Sequence, residues 1–389
     1  MNIKTVKKSQ KRVDVSYLSS LKIQAYGHDN LYPQNAYNLI SASSNGRSCL
    51  NRYARFIEGN GFKEIAFSEY VVNRSGETAD AIQTLMAKDL AQYGGFALHV
   101  NYNLFGDIVE LQHVPFESCR LQEADDKGFI ANIITHIDWT GNTTRNGKNV
   151  KVSKGTVEEF PVFNPRKEVV QDQIVKAGGI EFYKGQILWV SMAGLFTYPA
   201  AKYDSAITEL STDEGLSTLK YRNVRNNFYP AGVFAYKKSN SANVDEEEEE
   251  DLDPQGYAEE IAQLQGDEKS CSMLAVGFTH ESDIPKFIEF PIKNLDKDFT
   301  VTNESVCESI YAAFEQEIFY AIRKGKTGFS GNLMKEAYEY YNSIVNTEQR
   351  MIERAFDRIF RDWYEDVNPT KNYSIKPLQY ISNETPNNN

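Results

Sequence analysis

The chain has 389 residues, of which 41% are hydrophobic, and its formal net charge is −12. This length and composition predict an extensive core, in two or three domains or in one discontinuous domain with an inserted lobe. The acidic balance argues against a protein that coats nucleic acid, because such proteins neutralise phosphates with an excess of lysine and arginine.

Several other classes of protein lack their sequence signals here. No window approaches the roughly 20 uninterrupted apolar residues of a bilayer helix, and no apolar stretch follows the charged N-terminus, so no membrane partner is expected. The cysteines lie far apart without the paired spacing of a disulfide framework or a zinc site: Cys49, Cys119, Cys271 and Cys307. No histidine has a ligand spacing and no serine lies in a GxSxG motif. We therefore expect no metal, no cofactor and no enzymatic activity.

The N-terminal third is predicted to be mainly helical. The first residues, with Lys4, Lys7, Lys8, Lys11 and Arg12 and no acid before Asp14, indicate a flexible basic arm or a plain solvated terminus. A helix is expected to start at Pro33, break near Asn45 and Gly46, and resume until glycines 59 and 61 end it. Another amphipathic helix is predicted over residues 79–93.

Six segments after this helix alternate polar and apolar residues or are rich in β-branched residues, which is typical of strands. They are FALHVNYN, DIVELQHVP, CRLQEA, GFIANIITHIDW, VEEFPVF and GQILWVS. His99 and His113 fall in neighbouring strands, where a cross-strand pair is one possibility. The N-terminal half is therefore predicted to be α+β.

The second half is predicted to return to helices around a small α/β lobe. A helix near 206–228 precedes strand GVFAYKK, an acidic loop, helix PQGYAEEIAQLQ and strands SMLAVGF and PKFIEFPI. A helix over 296–319 and a glycine-rich break follow. The 3.6-residue apolar period from about Leu333 to Tyr364 then predicts one helix of about 48 Å, before a last strand, YSIKPLQY.

The most conspicuous charge feature is the acidic run Asp245, Glu246, Glu247, Glu248, Glu249, Glu250 and Asp251. Paired carboxylates can bind a divalent metal or act as acid and base, but such sites need convergent geometry. Consecutive like charges repel each other, so we expect a solvated loop.

A second charge feature surrounds the glycine-rich break. The triplet GKT at 325–327 resembles part of a phosphate-binding loop, but Tyr320 occupies the position of the first glycine, and a helix is predicted before it. An ATPase site is therefore excluded. The four basic residues near the break, without an acid among them, fit a mobile loop that touches DNA phosphates without reading bases: Arg323, Lys324, Lys326 and Lys335. An ordinary turn between helices is the alternative.

The order of these parts resembles the portal (head-tail connector) family of tailed bacteriophages. DNLYP at 29–33, FIEGNGF at 56–62 and the segment FESCRLQEADDKGFIANIITHIDW look like the N-terminal wing of portals. YRNVRNNFYPAGVFAY at 221–236 resembles the passage from a stem helix to a clip strand. ESIYAAFEQEIF, GKTGFSGN and the long helix resemble a second stem helix, a tunnel loop and a spine helix.

The resemblance implies a division of the chain into named parts. These are a basic arm (1–25), an α+β wing (26–205), a first stem helix (206–228), a clip (229–292), a second stem helix (293–319), a tunnel loop (320–332), a spine helix (333–366) and a terminal wing strand with a short tail (367–389). The large C-terminal crown of many portals would be reduced here.

The resemblance also implies a function. The expected protein is a non-enzymatic ring, usually of twelve copies, at one capsid vertex of the virion, assembled in the bacterial cytoplasm. Its expected partners are double-stranded DNA, the terminase motor, a head-tail adaptor through the acidic loop, and the major capsid protein. Another ring-forming connector or tail protein is the alternative, and an unrelated enzyme is the least favoured interpretation.

Overall fold

The computed structural model describes residues 17–18, 21–142, 144–145, 148–149, 151–225, 233–237, 274–278, 295–325 and 331–380. The chain divides into two compact units. Unit 1 comprises Met1–Leu210 and Cys307–Asn389, and unit 2 is Ser211–Val306. Helices and small sheets are both present, so the predicted α+β class is confirmed. Within the described part of the chain, no helix combines the length and the apolar character that crossing a membrane requires.

The first part of unit 1 is a short hairpin followed by four helices. They are β1 (Tyr17–Leu18), β2 (Ile23–Gln24), α1 (Tyr32–Ala42), α2 (Ser44–Glu58), α3 (Ile65–Ser68) and α4 (Ala79–Tyr93). The predicted bounds of α4 are confirmed. Thr78 Oγ1 accepts a hydrogen bond from the Ala81 amide at its start, and Gly94 ends it in the left-handed conformation.

The break predicted near Asn45 and Gly46 is confirmed, and it lies two residues earlier, at Ser43. The Ser43 hydroxyl accepts a hydrogen bond from the Gly46 amide at 2.9 Å and so caps α2. Gly46 lies inside the first turn of α2, where a Cβ atom would collide with the side chain of Leu210. This glycine therefore serves close packing and does not end a helix.

All six predicted strand segments form strands. Their order along the chain is β3 (Gly95–Tyr102), β4 (Ile108–Val114), β5 (Cys119–Leu121), β6 (Asn132–Thr135), the short hairpin β7 (Thr144–Arg145) and β8 (Lys148–Asn149), β9 (Glu158–Pro161) and β10 (Gln186–Ser191). They build two antiparallel sheets of three strands, ordered β10-β3-β4 and β5-β6-β9. Helix α4 packs against β3 and β4.

Helix α5 (Lys167–Ala177), between β9 and β10, was not predicted. Only Val170 and Ile174 of this helix are buried, one turn apart. Two apolar positions are too few to give a helical period in the sequence.

The suggested pairing of His99 with His113 is wrong. His99 lies opposite Gln112 in the register of β3 and β4, whereas His113 lies opposite Leu98, so the two imidazoles point to opposite faces. His99 Nε2 is 2.6 Å from the carbonyl oxygen of Lys184, and His113 Nε2 is 2.8 Å from the Asp89 carboxylate.

The described residues of the second half form seven further helices and strands, in the order α6 (Ile207–Arg225), β11 (Val233–Lys237), β12 (Leu274–Phe278), α7 (Leu295–Ala313), α8 (Glu317–Arg323), α9 (Gly331–Ile344) and α10 (Asn346–Phe360). A 3-10 turn, Lys202–Ala206, precedes α6. β11 and β12, which fall in the predicted strands GVFAYKK and SMLAVGF, pair in parallel. The predicted helix PQGYAEEIAQLQ and strand PKFIEFPI lie outside the described residues.

Three predictions for this half are wrong in detail. The helix expected over 296–319 is interrupted between α7 and α8, and the long helix expected from Leu333 is two helices joined at Val345. Both α9 and α10 pack on α2, and the turn lets each present its own apolar face to it. YSIKPLQY forms a single bridge, Phe62 to Ile375, and no strand.

A buried arginine on β5 links the sheet β5-β6-β9 to the loop before α1. Arg120, on β5, is fully buried, and none of the ion pairs between described residues involves it. Its Nε donates to Asn30 Oδ1 and its Nη2 to the Asn30 carbonyl oxygen, both at 2.6 Å, while Nη1 donates to the carbonyl oxygens of Glu117 and Cys119, both at 2.8 Å. Trp139 lies against the guanidinium, 4.8 Å from ring centroid to Cζ. Burial lowers the pKa of Arg120 to about 10, so it is charged at neutral pH.

Replacing Arg120 with leucine is expected to lower the free energy of unfolding by about 3 kcal/mol, because several buried carbonyl oxygens lose their donor. Urea unfolding followed by circular dichroism measures the change. The exposed Arg350 is the control, and Arg350→Leu should change the free energy by less than about 0.5 kcal/mol. Equal effects of the two substitutions would contradict the role given to Arg120.

Candidate functional site

The two chain segments that connect unit 1 to unit 2 are held together inside unit 1. Lys202, in the turn before α6, lies 3.1 Å from the carboxylate of Glu315, just after α7. The rings of Tyr203 and Phe314 stack with centroids 5.8 Å apart. The Lys202 ammonium also lies 4.8 Å from the ring centroid of Tyr53 on α2. We call these contacts the clamp.

The break between α7 and α8 lies at this clamp and depends on a buried amide. Gln316 is fully buried, and its Nε2 donates to the Cys49 carbonyl oxygen at 2.9 Å and to the Tyr341 hydroxyl at 2.8 Å. Its Oε1 accepts a hydrogen bond from Arg52 at 2.8 Å. The Tyr341 hydroxyl donates to the Phe314 carbonyl oxygen at 2.9 Å, which serves the end of α7.

The chain changes direction between α7 and α8 at Glu315. Its φ is 54°, in the left-handed region that non-glycine residues rarely adopt. The sequence contains neither glycine nor proline between Ala313 and Glu317, so no local signal indicates this break. The break is imposed by the partners that α2 and α9 offer to Gln316.

Helix α2 supports the site through polar as well as aromatic contacts. The Tyr53 hydroxyl donates to the buried Glu348 carboxylate at 2.5 Å, and Gln349 Nε2 donates to the Phe56 carbonyl oxygen at 2.9 Å. Burial, with a smaller contribution from the negative charge of Glu348, raises the pKa of Tyr53 well above its ordinary value, so the hydroxyl stays protonated and donates. Sequence analysis assigned no functional role to these residues.

The basic residues proposed for DNA contact lie in different settings. Arg323 is the last residue of α8, and its Nη1 donates to Asn45 Oδ1 at 3.1 Å and to the Tyr311 hydroxyl at 3.0 Å. Lys324 caps α8, with its ammonium 5.9 Å from the ring centroid of Tyr320. Lys335 is exposed within α9. Lys326 lies outside the described residues.

The bounds predicted for the tunnel loop, 320–332, are therefore too wide, because α8 continues to Arg323 and α9 has begun by Gly331. A helix precedes the GKT triplet, as predicted, so the strand that a phosphate-binding loop requires before it is not found there. The acidic run at 245–251 lies outside the described residues. Among the residues that the structure does describe, no group of three or more histidine, cysteine, aspartate or glutamate side chains is placed to hold a metal ion.

Among known proteins, only solved structures resemble this chain. No family model and no curated protein matches the chain. The chain is similar to a chain of the neck of a native gene transfer agent (GTA) particle computed with C12 symmetry, at 12% identity and a TM-score of 0.45, over 91% of this chain and 86% of that one. It is similar to a chain of the virion of a native GTA particle at 13% identity and a TM-score of 0.44, over 89% and 84%. It is also similar to an HK97-family phage portal protein from Corynebacterium diphtheriae, at 13% identity and a TM-score of 0.32, over 72% and 75%.

Replacing Gln316 with alanine is expected to destabilise the protein by about 2 to 3 kcal/mol, because the Cys49 carbonyl oxygen and the Arg52 guanidinium lose a buried partner. Chemical unfolding measures the free energy. Gln171→Ala, at an exposed position on α5, is the matched control and should be nearly neutral. A loss at Gln316 no greater than at Gln171 would show that the break does not depend on this amide.

Proposed function

We propose that this chain is the portal protein of a tailed bacteriophage. Twelve copies would close into a ring at one capsid vertex of the virion, through which double-stranded DNA enters and leaves. The observation that carries this proposal is the clamp, which holds the start of α6 beside the end of α7. Each of these helices has 19 residues, and a basic segment lies at the end of α8. The portal-like order of sequence segments supports the same function.

The surface of α6 favours an assembly of several copies. Every residue from Ser217 to Tyr221 is exposed, including Leu219 and Tyr221 at 39% and 58%. The first half of α6 buries Leu210, Asp213 and Leu216, so the exposed stretch is the part of the helix that lacks the packing of one face from which helices draw most of their stability. Cover by neighbouring copies in a closed ring would supply that packing.

DNA contact in this ring is proposed to be weak and independent of base sequence. Lys324, Lys326 and Lys335 would meet phosphates singly, a mode of binding that carries no sequence information. Twelve chains with a net charge of −12 carry a formal charge of about −144, which opposes adhesion of DNA to the rest of the channel. Energy for packaging would come from a separate terminase motor, since no nucleotide-binding pattern was found in this sequence.

The clip, residues 229–292, is proposed to dock the motor and the head-tail adaptor through the acidic run at 245–251. The wing would contact the major capsid protein. Assembly would take place in the cytoplasm of the bacterial host.

The purified protein is expected to form a ring of about twelve subunits with an axial hole wide enough for a DNA duplex. Light scattering after gel filtration measures the mass, and negative-stain imaging shows the hole. A stable monomer would overturn the proposal. A ring whose hole is too narrow for a duplex would favour another connector or tail protein instead.

Replacing residues 245–251 with a Ser-Gly segment of equal length is expected to weaken binding of the adaptor or motor at least tenfold if the acidic run forms their docking surface. The effect should diminish in the wild type as salt is raised, because exposed charges are screened. Glu168→Ser with Asp172→Ser, at exposed positions on α5, is the control. Unchanged docking of both partners would reject this role for the run.

A further inference from the structure

The end of α8 is tied to two other helices through one side chain. Arg323 Nη1 reaches Asn45 Oδ1 on α2 at 3.1 Å and the Tyr311 hydroxyl on α7 at 3.0 Å. The rings of Tyr311 and Tyr320 lie 5.3 Å apart, so α8 also touches α7 one turn earlier. Helix α8 has seven residues, too few to be stable without such contacts.

These contacts determine where the chain leaves the helix. The Lys324 amide donates to the Tyr320 carbonyl oxygen at 3.0 Å, and the Gly325 amide donates to that of Ile322 at 3.1 Å. Gly325 then turns the chain with a φ of 65°. The backbone of Lys324 is thus fixed only while the last turn of α8 stays closed, and Arg323 spans that turn.

Both partners of Arg323 are neutral, so the hydrogen bonds hold the guanidinium without cancelling its charge. Both N–H groups of Nη1 are directed into the protein, which leaves only Nε and Nη2 for any phosphate and removes one arm of the fork that binds phosphates best. Geometry of this kind is typical of a residue that holds a neighbour in place.

We propose that Arg323 is a positioning residue, which pins the end of α8 to α2 and α7 and thereby sets where Lys324 meets DNA. The inference rests on the proposed portal function only for the ligand of Lys324. The anchoring itself concerns the purified chain and can be tested without DNA.

The first test measures how fast a lysine-specific endoproteinase cuts the Lys324–Gly325 bond in the folded, assembled protein. Arg323→Gln and the double variant Asn45→Ala with Tyr311→Phe should each speed cleavage about tenfold, because loss of two hydrogen bonds favours local opening. Lys176→Ser, at an exposed position on α5, should leave the rate unchanged. Wild-type rates in both test variants would overturn the proposal.

The second test counts DNA-filled particles when each variant replaces the wild-type chain in a phage infection. The double variant keeps the charge of Arg323 but removes its partners, so positioning predicts the same severalfold loss as Arg323→Gln. Arg323→Lys, which keeps the charge but not the forked geometry, should rescue only in part. Normal filling with the double variant, together with a loss in Arg323→Gln, would show direct DNA contact and overturn the proposal.

Lys324→Ser separates this inference from the function on which it rests. If cleavage of the Lys324–Gly325 bond rises as expected but neither Lys324→Ser nor Arg323→Gln alters DNA filling, the DNA role of the segment is overturned. Anchoring by Arg323 would then stand without its proposed consequence for DNA. Circular dichroism at each step confirms that the variants remain folded.

Discussion

The buried amide of Gln316 is the constraint on which the junction between α7, α8 and α9 depends. A buried primary amide has to find donors and acceptors in the protein, because leaving them unmet costs about 1 to 3 kcal/mol each. The position between α2, Phe314 and Tyr341 meets them. The left-handed Glu315, the clamp and the direction of α8 all follow from that placement.

The same constraint explains why neither long helical pattern forms one continuous helix. Helix α2 offers aromatic and polar surface to three successive helices. Phe56 packs against Phe319 of α8 and against Tyr338 and Tyr341 of α9, and its carbonyl oxygen accepts a hydrogen bond from Gln349 of α10. A straight helix could contact α2 along only part of its length, whereas turns at Glu315 and Val345 let each segment bury its own stripe. The apolar periods on both sides of Val345 are real, but the periods alone do not reveal a change of axis.

Where local chemistry decides the structure, the sequence was sufficient. Alternation predicted the strands, and amphipathic periodicity predicted α4, which Thr78 and Gly94 cap. Where a distant partner decides the structure, the sequence was not sufficient. Position 46 needs a glycine because Leu210 packs against it, and the helix break at Gln316 has no glycine or proline beside it. Arg323 appeared in the sequence as one of four equivalent cations, since its partners lie 12 and 278 residues away.

Arginines with the same formal charge therefore differ in what they can do. Arg120 is surrounded by carbonyl oxygens, and Arg74 is held by Glu110, whose pKa this contact lowers to about 2. Arg323 keeps its charge but is bonded through Nη1 to neutral groups. A formal net charge adds these residues as equals, yet a passing polyanion responds to exposed, orientable cations far more than to side chains already committed to the fold. For a protein proposed to conduct DNA without retaining it, committing arginines to structure would keep strong, forked phosphate contacts few.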